Sequence, residues 1–494
     1  MKKAIIIGGG IGGLSIAARL LKKGFMVDLY EKNCVVGGKT NLLKYNNFKF
    51  DLTASLVMLP NDYIEIFSYC NKDFKQYFSL EPINPIYKVF YSDKSNYTFS
   101  LNLSELCNTI NNMDSNDITT SYNFFKFLSS NYKKYLLSEK YFLNNTFINK
   151  DSFLNFSTLK KLYNIHSLNS CYKDCSNHIS NEKLLNYLMF QSMYVGVSPY
   201  SSPSIYNLIP TVSQFNGLYY IKGGMYSYIK ALKNLILDLG GNIYTSSPVN
   251  EILFDDKNNA IGVKIKENNF FSDLVVCSSD YSYSINNLIK NKSIKRALKP
   301  IDNYEYSCST YILYLGLNKK YPNLNIHNIY INKNFKSNLE APFKGLLSED
   351  PSIYIYCPSS IDDSLCPKGY ETLNVILRVP NLLSKNVKWT TTTINAIDNK
   401  LLSILSSIDG LKDIKNHIVF KHHLTPKDFK YTFNTYAGSA FGISHNLSQS
   451  LFFRPQFKVP KVNNLYFTGA SIHPGNGVSM VLKSSKICCD SIKN

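Results

Sequence analysis

A glycine-rich turn near the start of the chain constrains the fold more than any other feature. Ala4 to Ile7 is a short apolar run, the pattern of a buried parallel strand, and Gly8, Gly10 and Gly13 follow it in the spacing G-x-G-x-x-G. Ile11 to Leu21 reads as a helix ended by Lys22, Lys23 and Gly24, and a second strand, Met26 to Tyr30, delivers Glu31. This strand–turn–helix–strand order is what a dinucleotide site requires. Gly8 permits the tight turn, Gly10 lets backbone approach a pyrophosphate, and Gly13 lets helix and strand pack closely. The helix N-terminus offers unpaired N–H groups and a partial positive charge to phosphates. Glu31, eighteen residues beyond Gly13, is placed to accept hydrogen bonds from ribose hydroxyls.

The same chemistry recurs twice. Gly37-Gly38-Lys39-Thr40 suits a second backbone loop against the pyrophosphate. Near the other end, Leu465 to Thr468 reads as a buried strand running into the small-residue loop Gly469 to Gly477, and a helix from Val478 to Ile492 follows. That loop also presents backbone N–H groups to something polar or anionic. A second G-x-G-x-x-G is absent, which leaves one dinucleotide to bind.

At 494 residues the chain is long enough for two to four units of ~150 residues. The intervening sequence shows how they divide. Asn41 to Asp51 reads as a hairpin turning at Asn46-Asn47, and it leads into the apolar segment Leu52 to Pro60. Residues 60 to about 110 alternate short helical and strand-like pieces. Helices are expected over Tyr122 to Ser138, Leu159 to Leu168 and Asn181 to Met193, all rich in Phe, Tyr and Leu. Such a block lines an apolar tunnel or is ordinary core, and composition favours core. After 220 the α/β pattern returns, with a helix from Tyr226 to Leu239 and strands over Asn242 to Thr245, Val249 to Phe254, Ala260 to Ile265 and Leu274 to Cys277. Further on, Ser309 to Leu317 and Tyr370 to Val379 are strand-like, and Asn395 to Leu405 is a helix candidate. The expected division is a nucleotide domain in three segments, 1–60, 220–299 and 451–494, with a substrate domain from 61–219 and 300–450.

Composition excludes several classes. The net charge is +19, from 54 Lys+Arg against 35 Asp+Glu, but the lysines are scattered. No dense basic tract accompanies a nucleic-acid motif, so no nucleic-acid partner is expected. A surface this basic is attracted to an anionic bilayer, at ~1 kcal/mol per residue close to it. The 11 cysteines are odd in number and irregularly spaced, which fits reduced thiols in a cytoplasmic protein and no zinc site. No window offers ~18 uninterrupted apolar residues, and five glycines among residues 8–13 oppose a signal peptide.

Taken together, these residues resemble the FAD-dependent carotenoid desaturases of the phytoene desaturase type, in particular the bacterial diapophytoene (dehydrosqualene) desaturases. The similarity spans nearly the whole chain. It includes the N-terminal turn, Phe48-Lys49-Phe50-Asp51, Phe190 to Gly196, Ser204-Ile205-Tyr206 and Lys222 to Tyr226. It continues through Asp350 to Tyr354, Gly438 to Gly442 and Arg454-Pro455, and is most specific from Asn464 through His473-Pro474-Gly475 to Leu482. The resemblance implies an α/β fold like the flavin amine oxidases, with a Rossmann-type FAD domain and an interleaved α+β substrate domain. It implies FAD as cofactor. Gly8, Gly9, Gly10, Ile11, Gly12, Gly13, Glu31, Lys32, Gly37, Gly38 and Lys39 would hold its ADP half, with Val249 at the adenine. Gly469 and Ala470 would reach the ribityl–pyrophosphate, and His473, Gly475, Gly477 and Val478 would lie close to the isoalloxazine.

The chain departs from the family in three places. Lys39 stands where Arg is usual, Thr53-Ala54-Ser55 replaces Gly-Pro-Thr, and Asn476 replaces Ala. The implied substrate is a lipid-dissolved C30 or C40 polyene with no polar handle, bound by apolar burial at ~25 cal/mol per Å². Desaturation removes two hydrogens from adjacent carbons, one as hydride to the flavin and one as a proton to a base. His473 and Asp51 are the candidate bases, each with a structural role as the competing reading. Oxygen or a membrane quinone would accept the electrons, and a lipid-dissolved substrate implies peripheral membrane association. A different flavin oxidase and a non-catalytic isoprenoid carrier are the competing functions.

Overall fold

The computed structural model describes residues 1–115, 117–147, 160 and 169–493. The helix expected over Leu159–Leu168 falls outside these, apart from Lys160.

Lys3–Ile7 is buried because it is the middle strand of a five-stranded sheet. The order is Leu465–Phe467, Leu274–Cys277, Lys3–Ile7, Met26–Tyr30, Asn242–Tyr244. All four pairings are parallel. Strands covered on both faces are largely apolar, which is why Ala4–Ile7 and Leu274–Cys277 read as continuous runs. Three remote stretches of chain thus meet in one sheet. The helix Ile11–Lys22 packs against Tyr226–Asp238 and Val478–Ser491. Small residues allow the close approach: Ser15 and Ser485 join their hydroxyls at 2.6 Å.

A second sheet has seven strands in the order Ile418–Leu424, Ser309–Leu317, Glu371–Val379, Ile353–Tyr356, His327–Ile331, Tyr87–Tyr91, Asn96–Phe99. Its pairings are antiparallel except that between His327–Ile331 and Tyr87–Tyr91. Ser309–Leu317 is an interior strand, fully buried, and sequence reading finds both its ends. Ile418–Leu424 (IVFKHHL) escapes that reading because it is an edge strand carrying Lys421, His422 and His423 toward solvent. The helix Thr391–Ser407 packs beneath this sheet, its first turn capped by Thr390, whose Oγ1 accepts from the Thr393 N–H at 3.3 Å.

The hairpin Leu42–Tyr45/Phe48–Asp51 forms as expected, with Asn46 at φ 47° in the turn. The strand expected from Val249 starts at Glu251, which frees Val249 for another role. The helix Thr120–Ser138 begins two residues before its expected start. The helix expected over Asn181 to Met193 runs Glu182–Phe190, N-capped by Asn181, and then tightens to a 3₁₀ turn over Gln191–Val195. The aromatic-rich block is chiefly core: Tyr187 stacks on Phe99 with ring centroids 3.8 Å apart, and Phe124 and Phe127 are buried beside them. All 11 cysteines are free thiols, most of them buried.

Candidate active site

Strand Leu274–Cys277 lies between Lys3–Ile7 and Leu465–Phe467, so the loops after these three strands emerge side by side. Open parallel sheets bind ligands at such carboxyl ends. Here the loops wall a cavity of ≈ 400 Å³ that continues to the inner face of the seven-stranded sheet. Gly8, Gly10, Ile11, Gly12, Glu31, Lys32, Gly37, Gly38, Lys39, Val249, Gly469, Ala470, Gly477 and Val478 all line it. Residues at opposite ends of the chain therefore share one wall.

The donor set of that wall is specific. The helix Ile11–Lys22 starts at Gly10 with no side-chain cap and no acid in its first turn. Val478–Ser491 starts at Gly477 in the same way. Both ends direct unpaired N–H groups at the cavity. A Cβ placed on Gly10 would meet nothing within 4 Å, so this glycine leaves space for a ligand and not for protein packing. Gly13 is different: a Cβ there would sit 1.9 Å from the Gly8 carbonyl oxygen. The Glu31 carboxylate is fixed by the N–H groups of Gly9 (2.7 Å) and Asn33 (2.8 Å), which aims its remaining lone pairs. Lys39 donates to the Ala440 carbonyl at 2.9 Å, and burial lowers its pKa against the opposing charge of Asp280. N–H groups and a cation suit a pyrophosphate, and an oriented carboxylate suits a ribose diol. The wall fits the ADP half of FAD.

The other half of the cavity is largely apolar. Leu56, Met58, Ile312, Ile376, Phe433 and Phe441 line it. The divergent loop Thr53–Ala54–Ser55 lines it too, held by a hydrogen bond from the Thr53 hydroxyl to the Lys39 carbonyl (2.9 Å) and by Ser55 to Tyr354 (3.2 Å).

Five expected site residues do not reach the wall. The Gly9 N–H is used on Glu31, and Gly13 packs on Gly8. Gly475 lies under His445, whose Nε2 would be 2.4 Å from a Cβ at that position. His473 is buried, with Nε2 donating to the Phe142 carbonyl at 3.1 Å and its ring edge-on to Phe147. Burial lowers its pKa to about 4, so it is neutral and a weak base. It braces the flavin loop against the segment around Phe142 instead of lining the cavity.

Asp51 is likewise off the wall. Its carboxylate accepts from the Tyr226 N–H (3.4 Å) and the Tyr356 hydroxyl (3.2 Å), tying the start of the helix Tyr226–Asp238 to the seven-stranded sheet. Burial raises its pKa to about 6. A carboxyl that holds its proton more tightly when folded favours the fold below its unfolded pKa, and this contribution is lost as pH rises through about 6. Asp51→Asn, with no charge to bury, is expected to melt increasingly above the parent between pH 5 and pH 7.5. The gap is on the order of 3 kcal/mol at most. A melting-temperature difference that stays constant across that range would refute this account.

Four further residues on the wall are not among the expected site residues: Tyr194 and Tyr354, which lie inside the stretches Phe190–Gly196 and Asp350–Tyr354 that carry the resemblance, and Asp280 and Arg378, which lie outside any such stretch. Asp280 is anchored by Ser471 (2.9 Å) and the Tyr283 N–H (3.1 Å), and burial raises its pKa. Only its position three residues beyond the apolar run Leu274–Cys277 could have drawn attention to it.

Fold and site together define an FAD-binding oxidoreductase: a dinucleotide wall on a parallel sheet, opening onto an apolar chamber over a second sheet. The chain belongs to the flavin containing amine oxidoreductase family, whose pattern matches residues 11–493, and within it to the FAD-dependent carotenoid desaturases. It is 35% identical over 492 residues to the 4,4'-diapophytoene desaturase (4,4'-diaponeurosporene-forming) of Staphylococcus haemolyticus, covering 99% of this chain and 98% of that one. It is 34% identical over 496 residues to the protein of that name from Staphylococcus aureus (strain Newman), with the same coverage. Among solved structures, an oxidoreductase from Methanosarcina mazei superposes with TM-score 0.66 at 15% identity, covering 99% of this chain and 100% of that one. Putrescine oxidase bound to putrescine gives 0.64 at 10%, covering 99% and 98%. At those identities the structures speak for the fold alone.

Proposed function

We propose that this chain desaturates 4,4'-diapophytoene, an apolar C30 polyene, in carotenoid biosynthesis. The observation that carries the reading is the single cavity with two chemistries, a donor-rich wall for FAD and an apolar wall for a hydrocarbon. Bound FAD supplies the hydride acceptor. The chain supplies the rest. Leu56, Met58, Ile312 and Ile376 bury the polyene and keep water from the reacting carbons. The acids on the wall, Glu31 and Asp280, belong to the dinucleotide half, so among the described residues the apolar half offers no counter-ion for an amine.

Expression in cells that make either 4,4'-diapophytoene or phytoene, followed by pigment spectra, tests this. Coloured extracts are expected from the C30 host, with conjugation length reporting the number of steps. Colour from phytoene alone would move the substrate to C40. Colourless extracts from both hosts, with flavin-loaded protein, would overturn the reading.

A lipid-dissolved substrate calls for a membrane-facing surface. Among the described residues no helix is long and apolar enough to cross a membrane. The helix Thr120–Ser138 and its neighbours expose Leu103 (62%), Ile118 (92%), Tyr122 (65%), Leu136 (50%) and Phe215 (49%). Exposed Lys126, Lys133 and Lys140 flank them. This supports a peripheral site on anionic lipid. The protein is expected to float with liposomes containing anionic lipid, and a Leu103→Ser/Ile118→Ser/Phe215→Ser variant to stay in solution. Equal flotation of both would locate the contact elsewhere.

A further inference from the structure

One charged group on the cavity wall has no use in binding a hydrocarbon. Arg378 lies on Glu371–Val379, opposite Thr310 in the sheet register, and lines the apolar half. Its guanidinium stacks on Phe441, with Cζ 4.7 Å from the ring centroid. Its Nε is buried with no partner, and among the described residues no carboxylate pairs with it. Beside it the Tyr194 hydroxyl is buried within reach of the guanidinium's field and faces the Tyr87 hydroxyl, with no carbonyl or carboxylate among the described residues to accept from it. Tyr354 differs: its hydroxyl is engaged by His327 Nδ1 at 2.6 Å.

Holding an unpaired cation out of water is costly unless a ligand completes it. The polyene has no acceptor to offer. The phosphates and ribose of the cofactor meet the glycine loops, Lys39 and Glu31 on the other wall. Besides the carbonyls of the flavin ring itself, which the test below separates, what remains is an oxygen acceptor on a ligand that is otherwise apolar and flat enough to share the chamber with Phe441.

We propose that Arg378 and Tyr194 form a binding site for the conjugated carbonyl oxygen of an apolar ligand. Two sources carry that chemistry. One is a quinone, which takes two electrons and two protons from the reduced enzyme and leaves as the quinol, so that polyene plus quinone becomes desaturated polyene plus quinol. The other is a polyene that carries an aldehyde at its end and enters as an alternative ligand. The inference rests on the desaturase reading, but its test does not depend on turnover.

The test is equilibrium binding to the purified, FAD-loaded protein, followed by perturbation of the flavin absorbance. The probes are menadione, a C30 polyene aldehyde and 4,4'-diapophytoene. Arg378→Leu is expected to bind menadione, the aldehyde or both about ten- to a hundredfold more weakly, the loss of one charge-assisted hydrogen bond. Its affinities for FAD and for 4,4'-diapophytoene hold. Arg378→Lys, which keeps the charge without the fork of donors, falls between, and Tyr194→Phe weakens the same ligand by a smaller factor. Loss for menadione alone assigns the site to the electron acceptor, loss for the aldehyde alone to an oxygen-bearing polyene, and loss for both to the shared carbonyl. Unchanged affinity for both probes would overturn the proposal. So would weakened FAD binding with both probe affinities intact, which would give the guanidinium to the cofactor. Failure of the desaturase reading would appear separately, as colourless extracts.

Discussion

Gly13→Ala is expected to yield a protein that purifies without the yellow flavin spectrum. The added Cβ would lie 1.9 Å from the Gly8 carbonyl oxygen, a backbone atom that no rotamer change can move. Relief requires the helix Ile11–Lys22 to shift away from the first strand. That shift moves the N–H groups that face the cavity and loosens the packing against Val478–Ser491. Overpacking of this kind costs about 1–3 kcal/mol of stability. Gly10→Ala separates the two effects. Its φ of −75° accepts any residue, and its Cβ meets no protein atom within 4 Å. The Gly10→Ala protein is therefore expected to fold with the parent's apo melting temperature and still bind FAD at least about tenfold more weakly, since the methyl group occupies ligand space. Titration of apo protein with FAD, alongside thermal melts, reads both. Normal flavin content in Gly13→Ala would refute the packing argument.

The second large effect is expected at Lys483, remote from the chemistry. Its ammonium is nearly buried and sits 2.8 Å from Asp62 Oδ1 and 3.1 Å from Glu139 Oε1. It ties the C-terminal helix to the helix Pro60–Tyr69 and to the turn that carries Phe142, the carbonyl partner of His473. Burial raises the pKa of Asp62, and Lys483 opposes that rise. Lys483→Met removes the cation and leaves a buried carboxylate, a loss of about 3–5 kcal/mol. Without Lys483 the Asp62 pKa climbs further, so the protein must either keep a costly proton or bury a bare charge. The destabilisation is therefore expected to deepen from pH 5 to pH 8. Lys483→Met/Asp62→Asn, which removes both charges, is expected to recover much of the loss. A double variant no more stable than Lys483→Met would show that the ion pair is not the cause.

The two cases differ in how far they could be read from the chain. Gly13 was legible because its reason is local: five residues separate it from Gly8, and strand, turn and helix are each written in a short window. The same holds for Ser309–Leu317, an interior strand whose burial on both faces leaves a largely apolar run. Lys483 was not legible, because its partners are hundreds of positions away and nothing near it announces a buried charge.

The site shows the same division. Met1 to Thr40 by itself determined a strand–turn–helix–strand unit with an uncapped helix N-terminus and Glu31 on one cavity wall, since glycine spacing and strand–helix order specify that geometry within one βαβ unit. Only the tertiary structure decided which residues face the ligand. His473 and Asp51 carry the right functional groups, yet one turns to the Phe142 carbonyl and the other is held between the start of the helix Tyr226–Asp238 and Tyr356 of the seven-stranded sheet. Arg378 sits in an ordinary strand pattern, and it becomes a cavity residue because pairing with Ser309–Leu317 sets which face of the strand looks inward. A strand's side chains alternate by rule, but the neighbour that fixes which alternate set is inside comes from elsewhere in the chain.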